Sequence, residues 1–395
     1  MRALCAALGR PQDRYRTLHV VGTNGKSSVA TMTAALLHGA GLRSGACISP
    51  HVWRWAERTR IDGVEIAPEA FAAATATVAE AIAKVEPELA DGERITQFEA
   101  AVAVSFVALA DAGVDVAVVE AGLGGRLDAT NVIDSSATAL TSVGRDHVEY
   151  LGPAERDIAT EKLAVLRPRT TLVTGRLEPE IAALARTVAA ERDCELIVAP
   201  PLGAAALPGG MVPYLERNAA VAAALAATIT GPATDVAVAD ALAHAALPGR
   251  AEMLAGDPPA IADAAHNEAG ARALAEALPA LAGGRPVFGC LAVLADKDAA
   301  AIAAALAPGL QACLCTAAEP GPAMGRPGAR ALDPAELARL VAAAGIVAEA
   351  EADPAVAVER TAALARDRGG VALFAGSHYL LRYVWTARHA QSFSR

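Results

Sequence analysis

Short apolar runs rich in Val, Leu and Ile alternate along this chain with longer stretches whose apolar residues recur at helical spacing. The short runs predict strands at 18–21, 45–48, 114–119, 137–143, 171–173 and 196–198. Between them the spacing predicts helices at 68–85, 97–112, 153–166 and 179–190. Pro68 and Pro153 suit a first helical turn, where the missing N–H has no partner to lose. The stretch 199–213 reads as loop, and a helix follows at 216–229. Beyond Leu247-Pro248-Gly249-Arg250 the alternation restarts. Strands are expected at 260–263, 286–291, 310–316 and 371–375, with helices at 268–281, 298–306, 334–344 and 354–366 and a last one from Ser377. Such alternation builds mostly parallel sheets with helices on both faces, whose ligands sit beyond the carboxyl ends of the strands. A chain of 395 residues exceeds what one core usually supports, so two α/β domains are expected, 1–248 and 249–395.

The first strand runs into Gly22-Thr23-Asn24-Gly25-Lys26-Ser27-Ser28, and a helical pattern follows at once. Strand, Gly-rich turn and helix together are the context of a phosphate loop. Glycines let backbone N–H groups approach an anion, and the helix start adds its positive dipole end. Lys26 can reach terminal phosphates, and Ser27 or Ser28 can place a hydroxyl on magnesium. The loop is shorter than G-x-x-x-x-G-K-[ST]; a plain glycine turn before a helix is the alternative.

Lysine usage sharpens this reading. Of 34 basic residues only Lys26, Lys84, Lys162 and Lys297 are lysine. Where Arg is written for nearly every cation, a surviving Lys is a candidate for chemistry that Arg cannot do. Chance retention suits Lys84, on a helix face.

Composition narrows the classes. A hydrophobic content of 54% excludes disorder, and only 4% aromatic residues makes base stacking an unpromising mode. A net charge of −10 argues against general binding of nucleic acid or anionic membranes. The six cysteines are scattered and lack C-x-x-C spacing, so they read as reduced core residues. No leader-like start and no apolar stretch of bilayer length appear, so a cytoplasmic protein is expected; a monomer is the expected state.

Polar residues gather at strand ends. The run to Val119 ends in Glu120, before the Gly-rich Ala121-Gly122-Leu123-Gly124-Gly125. A carboxylate there is placed to hold magnesium beside phosphates, or is a solvated strand end. Asp146-His147 follows the next strand; a lone His is more often structural than a ligand. Lys162 follows Glu161, and a helix-surface ion pair between them is the simplest reading. A buried amine with a lowered pKa, able to take up carbon dioxide as a carbamate, is the other. Asp263 and His266 end a strand of the second half, where Asp263 can accept ribose hydroxyls. Lys297 lies between Asp296 and Asp298, a solvated cap or a site residue.

Taken together these segments resemble the folylpolyglutamate synthase/dihydrofolate synthase family of the Mur ligase superfamily. The matching stretches also include Ile48-Ser49-Pro50-His51, Glu57-Arg58-Thr59-Arg60-Ile61-Asp62-Gly63, Phe98-Glu99, Asn218-Ala219-Ala220, Pro248-Gly249-Arg250-Ala251-Glu252 and Gly376-Ser377-His378-Tyr379-Leu380. The resemblance implies an N-terminal phosphate-loop domain with a mostly parallel sheet and a smaller Rossmann-like C-terminal domain. It implies ATP-dependent amide ligation: a carboxylate takes the γ-phosphoryl group, and the amine of glutamate displaces phosphate. By position, Gly22 to Ser28 and Lys26 would hold the phosphates. Glu120, His147, Ser27 and Ser49 would hold magnesium, with two ions expected. Lys162 matches the lysine that the family carbamylates. Asn218 would contact adenine, Arg250 phosphate, Asp263 ribose, and His266 the nucleotide nearby. Lys26, Lys162 and His147 are thus the candidate catalytic residues.

Some positions depart from the family pattern. Ser27 and Ala264 stand where it usually has Gly, and Glu268 where it has Pro. The chain also starts close to the phosphate loop, without most of the segment that relatives place near the pterin. This raises the expectation of weak pterin binding and of a ligase for another carboxylate. A nucleotide-binding protein without ligase activity is a third reading, opposed by the joint presence of Lys26, Glu120, His147, Lys162 and Asp263.

Overall fold

A computed structural model describes residues 1–90, 92–319 and 329–392. Contacts divide the chain into two compact units. The first comprises Met1–Met211 and Leu215–Ala246, the second Val212–Tyr214 and Leu247–Arg395.

The first unit holds an eight-stranded sheet. Its strands are β1 (Arg16–Val21), β2 (Ser44–Cys47), β3 (Thr59–Ile61), β4 (Val64–Glu65), β5 (Val116–Glu120), β6 (Ala137–Leu140), β7 (Thr171–Thr174) and β8 (Glu195–Val198). They lie in the order β4-β3-β2-β5-β1-β6-β7-β8. Every pairing is parallel except β2 with β3 and β3 with β4. β1 lies between β5 and β6, and the chain leaves it toward both sides of the sheet. That makes the carboxyl end of β1 the switch point at which open α/β sheets bind ligands. The central strands are apolar on both faces because helices cover both. The helix Gln97–Asp111 sets Phe106 and Leu109 against Ala117 and Val119 of β5. Elsewhere Leu163 and Leu166 pack with Leu140 of β6 and Leu172 of β7.

The second unit holds a six-stranded sheet ordered β13-β12-β11-β14-β10-β9. These are β9 (Glu252–Leu254), β10 (Ala260–Ala262), β11 (Val287–Leu291), β12 (Ala312–Cys315), β13 (Val347–Ala350) and β14 (Val371–Ala375). Only β9 runs antiparallel to its neighbour. Ile261, Leu291 and Leu373 of the sheet meet Leu274, Leu278, Ile302 and Leu306 of the flanking helices.

The helical and strand pattern of the sequence recurs here, with instructive differences. The strand expected to reach Val143 stops at Leu140, because Thr141 and Ser142 turn their hydroxyls to the phosphate loop. The helix expected from Pro153 is Glu155–Leu163; Gly152 at φ +102° ends the preceding turn, and Asp157 caps the helix through the N–H of Ala154. The helix expected at 216 begins at Pro213. Elements without an expectation include the helix Arg2–Ala7, the β3–β4 hairpin turned at Asp62-Gly63, the short helix Val148–Leu151, the helix Asp235–Ala243, and the short edge strands β9 and β13. Five cysteines are buried and Cys194 is half-buried, all as free thiols. Among the described residues no single helix is long and apolar enough to cross a bilayer.

Candidate active site

The phosphate loop leaves the end of β1 and Gly25 caps the helix Lys26–Gly39. Two glycines are required by contact as well as by conformation. At Gly22 (φ +154°) a Cβ would stand 1.9 Å from Thr141 Oγ1. At Gly25 (φ +85°) it would stand 2.5 Å from Asn218 Oδ1. This places the Asn218 amide directly against the loop. Residues after β6 brace the other side. Thr23 N donates to Ser142 O (2.8 Å) and Asn24 N to Ser142 Oγ (3.0 Å), while Thr141 Oγ1 donates to Asn24 O (2.6 Å). Lys26 curls back, and its ammonium donates to the carbonyls of Gly22 (3.0 Å) and Thr23 (3.1 Å). Its charge is thereby held over the loop whose N–H groups suit an anion.

Beside the loop, Glu120 ends β5 and is 3% exposed. Ser27 Oγ donates to its Oε1 at 2.9 Å, and Ser49 N donates to its Oε2 at 2.9 Å. Ser27 Oγ also lies 3.3 Å from Ser49 O. Three of the four expected metal-site residues therefore meet at one point, Ser49 through its backbone N–H and carbonyl and not through the hydroxyl that was expected. A carboxylate with a serine hydroxyl offers hard oxygen donors only, and that set fits magnesium or manganese. Of the two loop serines it is Ser27 that faces this carboxylate. Ser28 Oγ is buried without a hydrogen-bond partner. A small cavity opens alongside, lined by Ser49, Glu120, Arg58, Phe98 and Ser105.

The Gly-rich turn after Glu120 docks onto the helix Glu155–Leu163. A Cβ at Gly125 would stand 2.6 Å from Glu161 O, and Arg126 N donates to that carbonyl at 3.1 Å. The expected surface pair between Glu161 and Lys162 is not formed. Glu161 pairs instead with Arg126 at 3.1 Å, and Lys162 is turned inward and 4% exposed. The cause is the close approach at Gly125, which brings Arg126 over one side of the helix. Burial first, then the charge of Lys26, lowers the Lys162 ammonium to about 7; Asp146 and Asp128 pull the other way. The charge of Lys26 reaches Lys162, so these lysines share one region.

His147 adopts a left-handed conformation (φ +52°) at the start of the turn Val148–Leu151, with Nε2 3.8 Å from Asp146 Oδ1. Residues missed by sequence reasoning support the same turns. Asp128 accepts from Leu123 N (2.8 Å), Thr130 N (3.0 Å) and Thr130 Oγ1 (2.5 Å). Burial raises its carboxyl above the usual range. Because Thr130 gives its proton to Asp128, it receives one from His19 Nε2 at 2.8 Å. His19 is fully buried, which lowers it to about 3 and keeps it neutral. The signal for this chain was a histidine inside an apolar strand.

In the second unit Asp263 follows β10 and is 4% exposed. Its Oδ2 accepts from Tyr214 OH (2.6 Å) and Ala251 N (2.8 Å), and its Oδ1 from Ala265 N (2.8 Å). It therefore holds the turn Gly249-Arg250-Ala251, where Ala251 is left-handed (φ +47°). Arg250 Nη1 donates to Gly249 O at 2.9 Å, and His266 Nδ1 lies 2.9 Å from Ala264 O. Lys297, of side-chain exposure 7%, lies 3.9 Å from Asp296; it is a buried cation and not a solvated cap.

Comparison with known proteins agrees with this geometry. Residues 249–378 match the family described as Mur ligase, glutamate ligase domain. The dihydrofolate synthase/folylpolyglutamate synthase of Mycobacterium tuberculosis is 36% identical over 348 residues, 78% of this chain and 71% of that protein. The solved Mycobacterium tuberculosis folylpolyglutamate synthase complexed with ADP superposes with a TM-score of 0.88 at 31% identity, covering 98% of this chain and 93% of that one. A bifunctional folylpolyglutamate synthase/dihydrofolate synthase with Mn, AMPPNP and L-glutamate bound gives 0.83 at 30% identity, over 98% and 94%. The sheets, the phosphate loop and these likenesses lead to one assignment: the chain belongs to the folylpolyglutamate synthase/dihydrofolate synthase family of the Mur ligase superfamily.

Proposed function

We propose that this chain is an ATP-dependent ligase that joins L-glutamate to a folate-type carboxylate, dihydropteroate or a folylpolyglutamate. The observation that carries the reading is the junction of Ser27, Ser49 and Glu120 beside the phosphate loop. It sets hard oxygen donors next to the place where a terminal phosphate would lie. In the reaction a substrate carboxylate oxygen takes the γ-phosphoryl group of ATP and ADP is released. The glutamate amine then attacks the acyl phosphate carbon, phosphate leaves, and the amine proton goes to solvent or base. Such a step depends on positioning and charge neutralisation more than on covalent work by the protein.

Lys26 is assigned to the β- and γ-phosphates and the loop N–H groups to the same anion. Glu120, Ser27, Ser49 and His147 are assigned to magnesium, with a second ion near Lys162; the metal supplies charge neutralisation on phosphate oxygens. Asn218 is assigned to adenine. In the second unit Arg250 is assigned to phosphate, Asp263 to ribose and His266 to the nucleotide. Among the described residues no hydrogen bond or ion pair holds the Lys162 ammonium, and burial lowers it to about 7. A neutral amine of that kind can add to carbon dioxide, losing one proton and becoming a carbamate anion. We assign the first unit to ATP and the second to the ligase partner domain, with the boundary at 248/249.

The test is phosphate release with ATP, glutamate and a panel of carboxylates that includes dihydropteroate, reduced folates and small organic acids. Turnover with a pteroate or folate at micromolar concentration is expected. Turnover only with a non-folate acid would replace the substrate assignment, and none with any acid would remove the ligase reading.

A further inference from the structure

Arg250 stands between two residues whose backbone N–H groups are each held by a carboxylate. On one side Asp263 Oδ2 accepts from Ala251 N at 2.8 Å, and on the other Glu252 Oε2 accepts from Gly249 N at 2.8 Å. The turn so held is not one that a chain enters freely. Gly249 is left-handed at φ +64°, and so is Ala251 at φ +47°; a residue with a Cβ keeps that conformation only where its surroundings impose it. The Gly249 carbonyl is held as well. It accepts from Ala264 N at 2.9 Å and from Arg250 Nη1 at 2.9 Å. The guanidinium is therefore tied to a carbonyl whose place is set from outside the turn.

Glu252 is itself held. Burial raises its carboxyl above the usual range, while the Gly249 N–H and the indole N–H of Trp385 pull the other way. Both donors favour the anion that grips the turn. Trp385 lies in the last helix, His378–Ser392, one turn beyond the fully buried Leu381 on the same face. A Cβ at Gly249 would stand 2.5 Å from Leu381 Cδ1 and 3.6 Å from Cη2 of the Trp385 ring. The helix thus meets the turn twice, by apolar contact at Gly249 and by the hydrogen bond to Glu252. For packing alone an apolar residue at 252 would serve. A carboxylate there costs desolvation and gives a fixed position for Gly249 N.

We propose that Glu252 and Trp385 are positioning residues for Arg250: the last helix sets the turn from which the guanidinium reaches a nucleotide phosphate. Trp385 orients Glu252, Glu252 fixes Gly249, and the Gly249 carbonyl holds the guanidinium. Neither Glu252 nor Trp385 need touch the nucleotide. The inference rests on the assignment of Arg250 to phosphate.

The test is the affinity of the whole chain for AMPPNP with magnesium, measured by calorimetry in single and double variants. Arg250→Ala should weaken binding on the order of 100-fold, since a charge-assisted contact to phosphate is lost. Trp385→Phe keeps the apolar contact with Gly249 and removes the indole donor, and should weaken binding about fivefold. Glu252→Ala should weaken it about tenfold. Glu252→Gln keeps an acceptor oxygen for Gly249 N and should recover part of that loss. In the Arg250→Ala background Trp385→Phe should cost less than about twofold more, because no guanidinium is left to place. A role in fold stability alone gives the same loss in both backgrounds, and that result overturns the proposal. So does affinity within about twofold of the wild type in both Trp385→Phe and Glu252→Ala while Arg250→Ala is weakened. Thermal melts show which variants are folded at the assay temperature, and Trp385→Phe and Glu252→Gln carry the test where Glu252→Ala is not. Unchanged affinity in Arg250→Ala would instead remove the phosphate assignment, and no binding by the wild type would remove the ATP reading; the proposal falls with either.

Discussion

Two buried carboxylates stand at the carboxyl ends of strands, one in each sheet, and they are held in different ways. Glu120 ends β5 and takes its hydrogen bonds from Ser27 of the phosphate loop and from the N–H of Ser49. Asp263 follows β10 and takes three donors, two of them backbone N–H groups, while Tyr214 closes the third. The first carboxylate is placed among groups that suit a cation and a phosphate. The second fixes the turn Gly249-Arg250-Ala251 and so sets where Arg250 emerges. Both are buried at the carboxyl end of a strand; the donors of Glu120 come from the phosphate loop and the segment after β2, whereas those of Asp263 also brace a backbone turn beside its proposed ribose contact.

The largest effect that bears on this contrast lies at the loop that Glu120 faces. Lys26→Ala should lower turnover on the order of a thousandfold, since the charge proposed to face the transferred phosphoryl group would be lost. Its melting temperature should stay close to the wild type, because among the described residues Lys26 bonds to carbonyls of its own loop. Phosphate release and calorimetric melting measure both. Near-normal ATP turnover would detach Glu120 from any phosphate and dissolve the comparison.

Next in size is Lys162, on the helix against which the Glu120 turn is docked. Lys162→Arg should be nearly inactive, because a guanidinium stays charged and cannot form a carbamate. The pH profile follows from the lowered ammonium. The amine is mostly neutral above about pH 7 and mostly charged below it, so activity at constant dissolved carbon dioxide should fall as the pH drops through about 7. Acetate should partly restore Lys162→Ala. Full activity in Lys162→Arg, or a profile flat from pH 6 to 8, would withdraw the carbamate.

The smallest effects address the two carboxylates directly. Glu120→Gln should shift the magnesium midpoint of turnover by roughly 10- to 100-fold, with His147→Ala in the same direction. Asp263→Asn should leave that midpoint in place and cost about 1–3 kcal/mol of stability, because its amide NH2 cannot accept from Ala251 or Ala265. Magnesium titrations and denaturant melts of both variants read the difference. Interchanged results would reverse the roles.

Local features of the site were legible early. Gly22 to Ser28 could be recognised because strand, glycines and helix start are contiguous, and Glu120 because a charge interrupts an apolar run. Lysine scarcity singled out Lys26 and Lys162 before any fold was known. The pairing of Glu161 with Arg126 was not legible, since the two residues lie far apart along the chain and are joined by the close approach at Gly125. For the same reason Asn218 could be named only by resemblance, although it abuts Gly25.

By itself, then, the amino-acid order determined the α/β alternation, the presence of a phosphate loop and the candidate set of polar residues. These depend on periodicity and on neighbours within a few positions, which backbone sterics and side-chain chemistry read directly. The tertiary structure alone decided which serine faces Glu120, that β6 ends at Leu140 to brace the loop, and that Asp263 is saturated with donors. It also decided that Lys162 points inward. Each of these is a question of which donor is closest to which acceptor across distant segments, and burial then sets the charge that the group can bear.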